Sequence, residues 1–522
     1  MSDQTHTVPQ ILRAILILGG LACGSAVEPP VGNSASSYPG FTLYSVFGSD
    51  ETILIDGDNA EVHTWSHDRI GGYSVYLLPN GNVIRPALSS GSPLNGGGAA
   101  GLVQIWNPNS VRVWQYQYAS NTVRSHHDIC PMPNGNVLLI AWELKTAAQA
   151  VQAGLDYSAE IWPDHIIEVD PVGSSGGNIV WEWHVWDHLI QDHDPTKDNY
   201  GVIADHPELI DLNLGGGGVG SGDWMHVNGI SYNAVWDQIV FSSHTLNEIY
   251  VIDHSTTTAE AASHTGGNYG RGGDILYRWG NPDNYGAAGP EYFHVVHCPS
   301  WIPQGYPGGG HLLAFNNREG QGTSMVVEWI PPAAYGHYPP PPPGTAFGPP
   351  APNWTYTAAG FYSNHLGGCQ RLANGNTLIA ESTSGNLFEV SSSGATQWSY
   401  TPGGQIARAL RYGMSDPGII ALGLASGVEP APEGPPQLRL AQNSPNPFRE
   451  STVIGYELAN EGRVTLTVYD VLGTAVATLV DGPVPAGSGS VEFDASALGR
   501  GTYFYRLAAG GRSETKKLVV HE

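Results

Sequence analysis

The chain has 522 residues, with 47 Asp and Glu against 21 Lys and Arg and a formal net charge of -26 at pH 7. A field of that sign repels phosphate backbones and anionic lipid surfaces, which excludes nucleic acid as a partner; any site for a small anion then needs local positive charge. With 68 Gly, 39 Pro, 15 Trp, 25 Tyr and 41% hydrophobic residues, the composition predicts a buried all-β core of short strands and many turns.

In chain order, Arg13 precedes the apolar run Ala14 to Ala22, followed by small residues through Ala26, which predicts a secretory signal peptide over residues 1–26. That run is too short to span a bilayer and no later segment approaches the length required, so no transmembrane span is expected in the mature chain. Two signals then repeat. One is a turn of the type Pro-Asn-Gly-Asn followed by an apolar strand, at Leu78 to Val83, Pro133 to Leu139 and, with Ala for Pro, Leu372 to Ile379. The Asn-Gly pair predicts two-residue hairpin turns. The other is a strand ending on tryptophan, at Trp65, Trp114, Trp183, Trp279, Trp329 and Trp398. Intervening strands such as Ile166 to Asp170 and Ile249 to Asp253 give about four strands per unit.

These units predict a six-bladed β-propeller over residues 41–423, with large aromatic side chains filling the wedges between blades. Pairing of strands near Thr52 to Trp65 with strands near Gln397 to Arg411 would close the ring and leave no open edge. Residues 424–437 hold the run Glu429 to Pro436, a stiff proline-rich linker. Residues 438–522, with alternating stretches such as Val464 to Asp470 and Thr502 to Leu507, predict a small β-sandwich.

Histidines recur just upstream of the turns. His127 stands seven residues before Asn134, His226 seven before Asn233 and His365 nine before Asn374, while His297 precedes the Gly308 to Gly310 turn. On a propeller, equivalent positions of the inner strands converge on the axis, so four distant imidazoles would meet in one pocket. A single strand histidine is commonly only a satisfied polar group; recurrence at equivalent positions makes this set candidates for catalysis. Cys130, Cys298 and Cys369 follow the histidines closely, either as apolar filler or as part of a mixed Cys/His site, and permit at most one internal disulfide. Asp187-His188 and Asp192-His193-Asp194 have the alternation of a cation loop but lack its closing glutamate, and read as a solvated loop. No metal and no cofactor are expected. Tyr285, Tyr292 and Tyr306 hint at an aromatic ligand.

Several of these stretches resemble bacterial arylsulfate sulfotransferases: His126-His127-Asp128-Ile129 with its turn, Asp223-Trp224-Met225-His226-Val227-Asn228, Asn247-Glu248-Ile249, Trp301 with Asn316-Asn317, and Gly368-Cys369-Gln370-Arg371. The resemblance runs from about Phe41 to Tyr412. It implies a six-bladed propeller that moves a sulfuryl group from a phenolic sulfate ester to a phenolic acceptor through a sulfohistidine, independently of PAPS. It further implies His297 as nucleophile, with His127 and His226 in catalysis and Asn228, His126 and His365 holding the sulfate. Where better-known members carry an arginine this chain has His244, so either a protonated His244 or Arg318 would supply the clamp. The competing readings are a non-enzymatic surface propeller that binds glycans or proteins, and a histidine-based aryl sulfate hydrolase.

The tail resembles a second family. Gln442 to Phe448, Val468 to Gly473 and Gly501 to Leu507 are similar to the C-terminal sorting domain read by the type IX secretion system. This implies contact with that machinery and a secreted or cell-surface location. The physiological donor and acceptor and the oligomeric state are not encoded in any of these motifs.

Overall fold

The Asn-Gly-Asn segments close three-residue loops rather than the two-residue turns expected from Asn-Gly. Leu78 pairs with Asn82, Met132 with Asn136 and Leu372 with Asn376, and in each loop the glycine amide donates back to the first of the pair at 2.9–3.0 Å. Only the glycines, Gly81, Gly135 and Gly375, take a left-handed φ (80 to 92°), the geometry of a type I turn followed by one left-handed residue. The first asparagine accepts from the backbone N–H two residues on. The last one has a different task. Asn136 Nδ2 donates to Glu168 on the third strand of its sheet, and Asn376 Nδ2 to Glu389 at 2.6 Å.

In the computed structural model the described residues are 36–214, 222–318, 320–333, 336–425, 438–458, 462–471, 473–485, 487–509 and 512–521. The expected signal peptide and linker residues 426–437 lie outside them. Six four-stranded antiparallel sheets form the blades of a β-propeller. Their inner strands are Ala409–Gly413 for the first blade, then Tyr76–Leu77, Val123–Pro131, Val227–Asn233, Val296–Trp301 and Gly368–Arg371. The apolar core lies between successive blades: Tyr44, Ile55, Leu378, Trp398 and Ala409 pack together at one such wedge. All six strand-ending tryptophans are buried, five on outermost strands. Trp329 is the exception, since the outermost strand of the fifth blade is Trp354–Tyr356.

The ring closes one strand away from the expected pairing. Ala409–Gly413, the last strand of the propeller, pairs with the first, Gly40–Tyr44, from Gly40↔Gly413 to Tyr44↔Ala409. Thr396–Tyr400 stays in the sixth blade. Arg411 on the closing strand donates to Glu389 at 3.2 Å, to Thr42 Oγ1 at 2.6 Å and to the Tyr38 carbonyl at 2.8 Å. Glu389 also accepts from Asn376 and from the Tyr38 amide, so one buried carboxylate holds turn, blade and closing strand together. Glu389→Ala leaves the buried guanidinium short of its counter-charge and is expected to lower unfolding stability by about 3–5 kcal/mol. Chemical denaturation of the purified protein measures this, and an unchanged midpoint would refute the latch.

The tail folds as a β-sandwich of a three-stranded sheet (Leu438–Leu440, Ser451–Leu458, Gly487–Asp494) and a four-stranded sheet ordered Ala475–Val484, Gly462–Tyr469, Gly501–Ala509, Arg512–Val520. Its core holds Ile454, Val464, Leu466, Phe493, Leu507 and Leu518. Tyr505 ties the Gln442 to Phe448 stretch to this core, donating to the Ala441 carbonyl at 2.8 Å and accepting from the Asn443 amide at 2.7 Å.

Candidate active site

The inner strands are irregular where the histidines stand. In the third blade the register shifts between Ser125 and Ile129, in the fourth between Val227 and Gly229, and in the fifth between His297 and Ser300. His127, His226 and Cys298 take left-handed backbone conformations (φ 50 to 55°) at these breaks. A bulge re-aims a side chain, and left-handed non-glycine residues persist only where surrounding contacts enforce them. Here they turn side chains from the sheet faces toward the axis.

Three of the four expected imidazoles, those of His127, His226 and His297, come together, with His244 between the last two. Ring centroids are 4.5 Å apart for His127 and His226, 4.8 Å for His226 and His244, and 5.9 Å for His244 and His297. His127, His297, Asn228, Tyr73, Ser74, Asp128, Cys298, Leu366 and Arg408 line a cavity of about 30 Å³. A water needs about 10–15 Å³ of such space and benzene fits a cavity of roughly 150 Å³, so the pocket takes a small tetrahedral group but no aryl ring. An aromatic wall leads out of it. Tyr73 stacks on His127 at 5.3 Å and on half-exposed Phe47 at 5.3 Å.

His297, His226 and His127 are each held by a distinct partner. His297 Nδ1 lies 2.7 Å from Asn317 Oδ1. The Asn317 amide nitrogen donates to the carbonyls of Ser363 and Leu366 at 2.8 and 2.6 Å, which fixes Oδ1 as the end facing the histidine. An amide oxygen only accepts, so His297 carries its proton on Nδ1 and leaves the Nε2 lone pair free. Burial, then the neighbouring His244, push the pKa of His297 well below its ordinary value. His127 is likewise driven down by burial and by His226. Burial and the adjacent His226 bring His244 to about 4.

His226 is the exception. Burial opposes its charge, but the 2.6 Å hydrogen bond from Nδ1 to Asp223 Oδ2 and the charge of Asp223 raise its pKa above the ordinary value. Asp223 is itself fixed by the Trp142 indole N–H at 3.0 Å. His126 does not line the cavity. It stacks on Trp142 at 4.0 Å, touches His127 Nδ1 to Nδ1 at 2.9 Å, and its Nε2 stands 2.9 Å from Asp164 without hydrogen-bond alignment. Burial takes His126 down to about 3 and pushes Asp164 well above its ordinary value.

Among the other residues expected at the site, Asn228 lines the cavity but spends its amide on the Val296 carbonyl at 2.8 Å and accepts from Ser242 at 2.5 Å, bridging two blades. Half-buried His365 bonds Asn364 at 2.8 Å. Arg318 donates to Gln321 and Thr323 of its own loop. The fixed cation at the cavity is instead Arg408, just before the closing strand. It donates to Asp128 Oδ2 at 2.7 Å and to Tyr76, while its buried Nε has no partner. Burial works against its charge, and the surrounding acidic groups raise its pKa well above the ordinary value. Tyr285, Tyr292 and Tyr306 lie elsewhere, against Arg278, against Trp279 and in the cluster around Phe315. The three described cysteines are free thiols; Cys298 forms part of the cavity wall, and its Sγ donates to the Cys369 carbonyl at 3.6 Å.

The site thus draws on every blade, at the entry to its inner strand or at a break within it: Arg408, Tyr73, His127, His226, His297 and His365 in turn. Asp128 joins four of them, accepting from Arg408, from Tyr76 at 2.8 Å and from the Ile230 amide at 3.3 Å. Sequence reasoning that followed histidines alone could not find Tyr73 or Arg408.

The family model described as arylsulfotransferase (ASST) matches residues 112–329, and that described as secretion system C-terminal sorting domain matches residues 444–521. No curated protein matches the chain. Similar solved structures include a protein of unknown function from Bacteroides caccae, with 11% identity, 72% of this chain and 98% of that one covered, and a TM-score of 0.39. Virginiamycin B lyase from Staphylococcus aureus aligns with 9% identity over 71% of this chain and 87% of its own, with a TM-score of 0.31. The calcium-binding protein regucalcin from Agrobacterium tumefaciens gives 9% identity, 69% and 86% coverage, and a TM-score of 0.32.

Proposed function

Because the chain carries an arylsulfotransferase family domain and a C-terminal sorting domain that directs export by the type IX system to the cell surface or exterior, we propose that it transfers sulfuryl groups from aryl sulfate esters to phenolic acceptors through a sulfohistidine, without PAPS. The observation that carries this reading is the protonation of His297: Asn317 holds the proton on Nδ1 and burial keeps the ring neutral, so Nε2 is a ready nucleophile in a cavity of tetrahedral size.

In the first half-reaction His297 Nε2 attacks sulfur as the bond from sulfur to the aryl oxygen breaks, and the departing phenolate takes the electron pair. His226, whose pKa is raised while those of His127, His244 and His297 are lowered, donates a proton to that oxygen. Arg408 holds the non-bridging oxygens, and the aryl ring stays outside against Tyr73 and Phe47. In the second half-reaction the acceptor phenol returns its proton to His226 and its oxygen displaces His297 from sulfur. The neutrality of His244 and the engagement of Arg318 leave Arg408 as the fixed charge for the anion.

Incubation with 4-nitrophenyl sulfate tests the reading: release of 4-nitrophenol that depends on added phenol supports transfer, release without phenol indicates hydrolysis, and no release under either condition rejects both. The pH dependence follows from His226. Its acidic form is needed, so kcat/KM is expected to hold below the raised pKa and to fall as pH rises through it. Asp223→Asn removes the partner that raises it and is expected to move this alkaline limb to lower pH; a limb that stays in place would take the proton-donor role from His226.

No helix among the described residues is long and apolar enough to cross a membrane. The sorting domain implies an encounter with the secretion machinery.

A further inference from the structure

Away from the axis, between the third and fourth blades, two imidazoles and one carboxylate converge. His188 lies in the segment after the outermost strand of the third blade, Gly176–His184. His264 and Asp274 lie on the connection between the last two strands of the fourth, Glu248–Asp253 and Tyr277–Trp279. His188 Nδ1 is 2.9 Å and His264 Nδ1 2.7 Å from the same oxygen, Asp274 Oδ1. The potential ligand atoms of the three all lie within 4.8 Å of one another. His188, read from sequence as part of a solvated loop, is instead fully buried and stacked on Trp183 at 5.6 Å.

The hydrogen bonds of His188 do not balance for a neutral ring. Its Nε2 stands 2.8 Å from the Ala261 carbonyl, which only accepts, so the single N–H of a neutral imidazole is used there. Nδ1 then turns its lone pair toward a carboxylate oxygen, and two lone pairs face each other at 2.9 Å. A cation between them resolves the conflict. His264 adds a second imidazole, and its 62% side-chain exposure leaves room for water on the outer side.

We propose that His188 Nδ1, His264 Nδ1 and Asp274 bind one divalent transition cation of the zinc type, with water completing the coordination. Two nitrogens and one carboxylate oxygen suit that class, and three protein ligands plus an open position is a geometry zinc adopts. Tetrahedral bonds of about 2.0–2.2 Å place neighbouring donors roughly 3.3 Å apart. The observed spacings therefore open by roughly half an ångström, which a shift of exposed His264 supplies on one side and a small rotation of the Asp274 carboxylate on the other. The bound ion would cross-link the third and fourth blades and lies outside the sulfuryl-transfer chemistry.

The test reads metal, not activity, so it stands or falls apart from the proposed transferase function. Full-length protein stripped with EDTA is titrated with ZnCl2 by calorimetry and with CoCl2 by visible absorption. The expected result is one tight equivalent of zinc and a tetrahedral cobalt band, both weakened more than about tenfold in His264→Ala and in Asp274→Asn. His264 is exposed, so its replacement does not threaten folding. Absence of a tight equivalent in the unaltered protein would mean that a proton alone occupies the gap. Undiminished zinc and cobalt binding by His264→Ala would place the metal elsewhere, on the axial imidazoles. Either result overturns the proposal.

Discussion

His297→Ala is expected to abolish phenol-dependent release of 4-nitrophenol, with kcat lowered at least about 10⁴-fold, the scale on which removal of an attacking nucleophile acts. No neighbour can replace it. His127 lies within the same cavity but meets His126 through Nδ1 and is covered by Tyr73, while His226 is held by Asp223 as the proton donor. The variant leaves Asn317 Oδ1 buried without its donor, a stability cost of about 1–3 kcal/mol that a protein of this size tolerates. A single-turnover experiment gives the second readout: the unaltered protein incubated with donor alone should carry one sulfuryl group on the peptide containing His297. Full activity in the variant, or a sulfuryl group on another histidine, would remove His297 from its assigned role.

A second large effect is expected from the smallest substitution available. Gly98 has φ +77, and a methyl group added there would sit 2.2–2.3 Å from Cε1, Nδ1 and Nε2 of His127, inside van der Waals contact with the ring. The preceding Gly97 leaves similarly little room beside His226, at 3.0 Å. Gly98→Ala must therefore push the His127 ring by more than an ångström and strain a left-handed backbone position. Misplacement on that scale costs about 100-fold in rate. Reduced kcat with retained cooperative unfolding is the expected pattern, and unchanged kinetics would show that the position of His127 does not matter.

Much of the architecture is readable from spacing. Six tryptophan-ended strands and three Asn-Gly-Asn turns give the number of blades because each marks a fixed place in a repeating unit. The turn type departs from the two-residue form for a local reason: the first asparagine keeps an ordinary φ, and a hydrogen bond accepted by its own side chain, rather than a second left-handed residue, shapes the loop. The ring closure shifts by one strand because Thr396–Tyr400 and Ala409–Gly413 have equally strand-like patterns, and only the contacts of Arg411 with Thr42 and Glu389 discriminate between them.

The site was half legible. His127, His226, His297 and His365 share a residue type and a place before a turn, a pattern visible in one dimension. Tyr73 and Arg408 occupy the corresponding places in the remaining two blades but share no residue type with the histidines. Nor does any local pattern announce that Asn317 fixes the tautomer of His297, or that Gly97 and Gly98 make room for the rings, since these partners come together only across blades. Arg318 was the nearer cation in sequence, yet its own loop satisfies it.

Arg408 immediately precedes the strand that seals the propeller, which gives the order of assembly a chemical readout. A nascent chain that stops short of residue 408 can fold most of its sheets and still lack the guanidinium that anchors an anionic ester. Turnover therefore begins only when both ends of the propeller have met, so substrate conversion reports completed circularisation, whereas tryptophan fluorescence responds to the earlier packing of individual wedges.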